Sequence, residues 1–171
     1  VSIFSDLNHL LDITMEREFS SMLGYTEDEI STNFEDHLLL AEKNNQVARS
    51  GLREEMKRWY NGYNWHIKSE RVYNPFSILN FFQKLDFSNY WFATGTPTFI
   101  VEFLKKQKTL PEQTENILVN QLFFDKFDIE HLDIFSLMFQ TGYLTMKEAD
   151  IDGGILLSYP NFEVENSFLT H

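Results

Sequence analysis

Residues Trp59 to Trp65 read WYNGYNW, four aromatic rings in seven positions, interrupted by Asn61, Gly62 and Asn64. Lys57, Arg58, Lys68 and Arg71 flank the stretch. Rings beside a cationic groove are the elements of a stacking platform for nucleic-acid bases. The same rings also suit a buried corner, where edge-to-face pairs favour packing. The chain carries 26 acidic and 14 basic residues, a net charge of −12, and the nearby NPFSILNFF and NYWF segments offer rings for these rings to meet. Packing is therefore the expected role of WYNGYNW.

The other chemistry-bearing residues are dispersed. The histidines stand at 9, 37, 66, 131 and 171 without the close spacing that a metal site needs. Asp150 and Asp152 with Gly153 resemble the start of a calcium loop, but Asn161 falls where the closing bidentate glutamate belongs, so a turn is expected. Adjacent acids such as Glu16/Glu18 and Glu54/Glu55 are ordinary solvated pairs in so acidic a chain. There is no Gly-x-Ser-x-Gly turn for a serine nucleophile and no P-loop. Ala93-Thr94-Gly95-Thr96-Pro97 is a small-residue loop at a helix start, where backbone amides can hold an anion. A capped turn entering a helix at Pro97 explains the same residues.

The 171 residues suffice for one ample core or two small ones, and the 43% hydrophobic share with 17 Phe fits a globular protein. Cysteine is absent, so disulfides, thiolate metal sites and a cysteine nucleophile are excluded together. No apolar run has the length of a membrane span, and no signal-peptide pattern is present. A cytoplasmic setting is expected. The start VSIF without Met and the stop inside the helical pattern NFEVENSFLTH suggest a piece of a longer polypeptide.

The elements that would position these residues are mostly helices. Thr26 to Glu29 is a capping box, followed by the stripe Ile30, Phe34, Leu38 and Ala41. A second helix runs from Leu52 to Tyr60, with Gly62 as its left-handed terminator. Tyr63 to Tyr73 predicts a small hairpin or ordered loop. Asn74-Pro75 opens a helix whose apolar face is Phe76, Leu79, Phe81 and Phe82. Helices are also predicted over Pro97 to Lys108, Glu115 to Phe124 and Leu132 to Gln140, the last stopped by Gly142. YLTMKEA and ILLSYPN, joined through Asp150 to Gly154, predict a hairpin, and a helix begins near Phe162. The fold class is mainly α, an α+β chain.

VSIFSDLNHLLDIT, WYNGYNW, VYNPFSILNFF, YWFATGTPTFI, FQTGYLT and LSYPNFEVENSFL, in this order and spacing, resemble a bacterial family of AAA-ATPase-like proteins. In that family a P-loop-like domain precedes a PD-(D/E)XK nuclease-like domain. The resemblance covers nearly the whole chain and implies its middle part. Residues 1–25 would be the tail of a nucleotide-binding core, 26–125 a helical lid bundle and 126–171 a winged-helix-like module with a β-hairpin. Related signal-transduction ATPases place the proline of a Gly-x-Pro motif against adenine. Gly95, Thr96 and Pro97 are the candidates for that cofactor contact, and Asn74-Pro75 competes for it.

The implied function is a nucleotide-responsive conformational or regulatory one, without a complete active site in this chain. The implied cofactor is ATP, bound by the parent protein and not by this fragment alone. The implied partners are other domains of the same polypeptide, with no membrane. Two alternatives stand beside it. One is a non-enzymatic protein-interaction scaffold; the other is a nucleic-acid-binding winged helix serving a nuclease-like domain, disfavoured by charge.

Overall fold

The computed structural model describes residues 13–91, 100, 102, 104–105, 116–120, 122–125, 134–150 and 152–170. Among them the chain is mainly helical with one small antiparallel sheet, an α+β fold. A 3-10 turn at Arg17–Phe19 precedes α1 (Glu27–Asn33), α2 (Glu35–Asn45), α3 (Arg49–Tyr60) and α4 (Pro75–Lys84). β1 (Ile117–Val119) and the short α5 (Leu122–Asp125) follow. Then come α6 (Ile134–Gln140), β2 (Thr145–Ala149), β3 (Ile155–Ser158) and α7 (Phe162–Thr170).

The capping box forms as its residue types require. Thr26 N–H donates to Glu29 Oε2 (2.8 Å) and Glu29 N–H donates to Thr26 Oγ1 (3.2 Å), so two orphan donors are satisfied reciprocally. The stripe expected to run through one helix is divided at Phe34, whose φ of −122° and ψ of 25° separate α1 from α2. Ile30, Leu38 and Ala41 are nevertheless fully buried. Arg49 ties α3 back to α2 through Glu35 (2.8 Å) and Glu42 (2.5 Å), and Arg53 ties it to Glu27 of α1.

Asn74 caps α4 by accepting from Ser77 N–H (3.2 Å), with Pro75 at the first helical position. The buried face of α4 differs from the expected one. Ile78, Phe81 and Phe82 point inward with Ser77, whereas Phe76 and Leu79 are each 43% exposed. The cause is helical phase: Ile78, Phe81 and Phe82 lie at i, i+3 and i+4 with Ser77 beside them, which leaves Phe76 and Leu79 on the opposite side.

The segment 63–73 is a pinched hairpin. Tyr63 and Val72 exchange backbone hydrogen bonds (3.2 and 2.9 Å), Tyr25 and Tyr73 do the same (3.2 and 2.8 Å), and Ser69 N–H closes the tip on His66 O (2.8 Å).

The sheet has the order β1-β3-β2 with both pairings antiparallel. Asp150 N–H donates to Gly154 O (2.7 Å) and Gly153 N–H to Asp150 O (3.0 Å), closing the hairpin read from the Asp-Gly-Gly turn. The helix expected over Glu115 to Phe124 is corrected. Ile117–Val119 is a strand aligned with Ile155–Leu157, and only Leu122–Asp125 coils. Three consecutive β-branched or branched apolar residues, entered through Asn116 at φ 55°, find an open strand edge on β3, and that pairing outweighs a weak helical period. Of Pro97 to Lys108, residues 100, 102, 104 and 105 are described; they are helical, with Ile100 and Leu104 buried.

Two hydrophobic clusters result. The first gathers Ile30, Leu38, Leu52, Met56, Tyr60, Tyr73, Ile78 and Phe81 from α1 to α4 and the hairpin. The second gathers Ile100, Met138, Leu144, Met146, Leu157, Val164 and Phe168 between α6, the sheet and α7. WYNGYNW joins them, with Trp59 and Tyr60 against the first and Trp65 against the second.

Candidate functional site

The joint is built from backbone constraints first. α3 ends at Tyr60, and Asn61 is extended (φ −87°, ψ 175°), so Gly62 is not the helix terminator its position suggested. Its φ of 115° and its contact explain it instead: a Cβ built on Gly62 would lie 2.0 Å from Pro160 O. Two chain segments almost a hundred residues apart therefore touch backbone to backbone. Asn64 then fastens the joint to β2, donating its N–H to Thr145 Oγ1 (2.7 Å), while that hydroxyl donates to Asn64 O (3.1 Å).

Beside the joint the rings pack on other rings. Tyr63 meets Trp91 edge-on (6.4 Å between centroids, 89°), Trp65 meets Phe139 (5.9 Å, 65°), and Trp91 lies against Tyr143 (4.9 Å, 34°). What they leave open is a hollow of about 180 Å³, lined by Tyr63, Trp65, Trp91, Asn74, Pro75 and the Gln140–Gly142 turn, with Leu23 at its edge. Small-molecule sites usually enclose at least ~300 Å³. Among the described residues this hollow is smaller than that, on the scale of a single flat ring.

A buried carboxylate holds its wall. Glu163, on the first turn of α7, is fully buried; its Oε2 accepts from Ser77 Oγ (2.6 Å) and its Oε1 from Trp91 N–H (2.7 Å). The position favours an anion, because the free N–H groups at a helix start carry partial positive charge. Asn161 completes the turn by accepting from Val164 N–H (3.2 Å). Glu163 thus binds α4, α7 and the Trp91 backbone at one point.

Among the described residues that line the hollow, Tyr63 is the one with an ionisable side chain. Burial pushes the Tyr63 hydroxyl above its ordinary range, as it does for Tyr60, Tyr73, Tyr90 and Tyr143, so these phenols stay protonated near neutrality. His37 is exposed and lies beside the stacked Phe34 and Phe82 rings, and His66 Nδ1 accepts from Lys68 N–H (3.2 Å) within the hairpin tip. Among the described residues no group of His, Asp and Glu could hold a metal ion. No helix among them is long and apolar enough to cross a membrane.

The sequence-derived site residues Gly95, Thr96 and Pro97 lie outside the described residues, in the segment 92–99 that follows directly on Trp91. Asn74-Pro75, their competitor, lines the hollow. Glu163 and Trp91 were not singled out from the sequence. An acid in a helical first turn ordinarily reads as a solvated dipole partner, and only its flanking Phe162 and Val164 hint at burial.

Over 171 residues the chain is 39% identical to a protein of Azotobacter chroococcum mcd 1 described as "Uncharacterized protein in vnfD 5'region". The match takes in 98% of this chain and 31% of that protein, so the chain spans about a third of the relative's length. No family model matches the chain, and no solved structure matches it.

Proposed function

We propose that this chain is a nucleotide-responsive regulatory region of an ATPase-like protein, a helical lid followed by a winged-helix-like module, without a complete catalytic site of its own. The observation that carries the reading is the ring-lined hollow of Tyr63, Trp65 and Trp91, of which Trp91 stands four positions before Gly95 in the sequence Gly95-Thr96-Pro97. A hollow sized for a single flat ring suits a lid that touches the base of a nucleotide held mainly elsewhere. The order α6, β2, β3, α7 supports the winged-helix-like part of the proposal. A nucleotide that contacted the lid in only one of its positions would bias that position, and so the orientation of whatever is attached to α7.

Duplex binding through the C-terminal module is the weaker reading, because Lys147 is the only Lys or Arg from residue 131 onward. The catalytic part of the proposal is checked by phosphate release. The 171-residue chain with magnesium and ATP should give a rate indistinguishable from buffer. Steady hydrolysis that survives repurification would overturn the claim that its own site is incomplete.

A further inference from the structure

Four of the basic residues of this acidic chain gather around the Gly62–Pro160 contact. One hollow of about 450 Å³ is walled by Lys57, Arg58, Arg71, Glu27 and Glu70 together with Gly62 and Pro160. A second, of about 310 Å³, is walled by Arg58, Lys147, Glu165 and the Ser158–Phe162 segment. The two adjoin at Arg58 and Pro160, a paired groove.

The placement of the cations is specific. β2 slips register against β3 between Met146 and Glu148, and Lys147 stands at that bulge, a device that re-aims side chains beside functional sites. Its Nζ donates to Pro160 O (3.0 Å). Arg71 Nη2 donates to Lys147 O (3.4 Å), which leaves the rest of its guanidinium fork uncommitted to that contact. Arg58 lies over the Phe162 ring, 4.0 Å from its centroid, and reaches Glu55 (3.0 Å) on the open side.

Among the described residues neither Arg71 nor Lys147 has a carboxylate at ion-pair distance, although Glu27 accepts from Arg53 and lies 3.6 Å from Lys57 Nζ. Burial, with the nearby Arg71 charge, pushes the Lys147 ammonium down to about 8, and Glu165 offsets this only in part. Glu27, Glu70 and Glu165 also line the walls, but none makes an ion pair with Arg71 or Lys147, so the repulsion between these two cations is only partly offset. An anion in the groove relieves both.

We propose that the groove walled by Arg58, Arg71 and Lys147 binds a compact phosphate anion, the oligophosphate group of a small molecule. Arg71 supplies a fork suited to phosphate oxygens, and Lys147 a partly desolvated point charge. The net charge of −12 argues for a compact ligand, since a polymer's flanking phosphates would meet acidic surface. The proposal departs from the expectation that nothing binds this fragment alone. It does not depend on the aromatic hollow, because its probe carries no base.

The test is calorimetric titration of the chain with tripolyphosphate at constant ionic strength, beside Arg71→Gln and Lys147→Met. Saturable binding near neutral pH is expected, weakened about tenfold in each variant, a loss of roughly 1.4 kcal/mol. Removing either member of a repelling pair should leave the fold intact, and circular dichroism of both variants checks this. Bound phosphate favours the charged ammonium, which faces Arg58, Arg71 and Glu165, so affinity should fall as pH rises past about 8. Three results would overturn the proposal: no saturable heat, equal affinity in folded variants, or a short DNA duplex that binds more tightly than tripolyphosphate.

Discussion

Replacing Gly62 by alanine is expected to destabilise the chain by about 3–5 kcal/mol and to lower its melting temperature by roughly 10 °C. Two effects add. A φ of 115° is a conformation that an L side chain rarely adopts, and a Cβ there would lie 2.0 Å from Pro160 O, inside any permitted contact. The obstructing atom is backbone, so it cannot rotate away. The joint must open, and with it the junction of α3 with the start of α7. Gly51, inside α3 with nothing within 4 Å of a built Cβ, is the matched control: its alanine variant should gain about 0.5–1 kcal/mol from helix propensity. Thermal melts followed by circular dichroism read both. A Gly62→Ala chain that melts with the native protein would remove the joint from the account.

The second large effect concerns Glu163. Glu163→Ala leaves Ser77 Oγ and Trp91 N–H without this acceptor and opens a void between α4 and α7, a loss of about 3–5 kcal/mol. Glu163→Gln should cost only about 1 kcal/mol. A glutamine can accept from Trp91 N–H through its oxygen and donate to the Ser77 hydroxyl, which can act as acceptor, while the penalty of burying a charge disappears. Chemical denaturation of the two variants separates geometry from charge. If Gln is as damaging as Ala, the charge itself holds the joint and the hydrogen-bond argument fails.

What the sequence revealed here was local. The Thr26/Glu29 box, the Asn74-Pro75 start and the Asp150–Gly154 turn each satisfy backbone groups within a few residues, so the pattern alone identifies them. The α+β class follows from the same local signals. The features that shape the site depend on partners far along the chain. Glu163 is defined by a serine 86 positions away, Gly62 by the carbonyl of Pro160, and Ile117–Val119 by a strand edge on β3 that no nearby residue announces. Phe76 and Leu79 show the same limit from the other side, because helical spacing marks an apolar stripe without showing which part of it meets the core. The composition of WYNGYNW and its neighbours points to a packed corner, and its rings do pack on other rings. Its relation to the hollow depends on Trp91, which lies beside Tyr63 from 28 positions along the chain.

The central functional claim is that this hollow accepts the flat ring of a nucleotide base. Fluorine NMR of the chain labelled with fluorotryptophan tests it with an internal control, because Trp65 and Trp91 line the hollow while Trp59 packs on Phe162 outside it. Adenosine, which has no phosphate to engage the cationic groove, should bind in roughly the millimolar range expected of one ring in a small open site. The account predicts saturable shifts of the Trp65 and Trp91 resonances with Trp59 unmoved. Resonances that all stay fixed, or that all drift together without saturation, would contradict it.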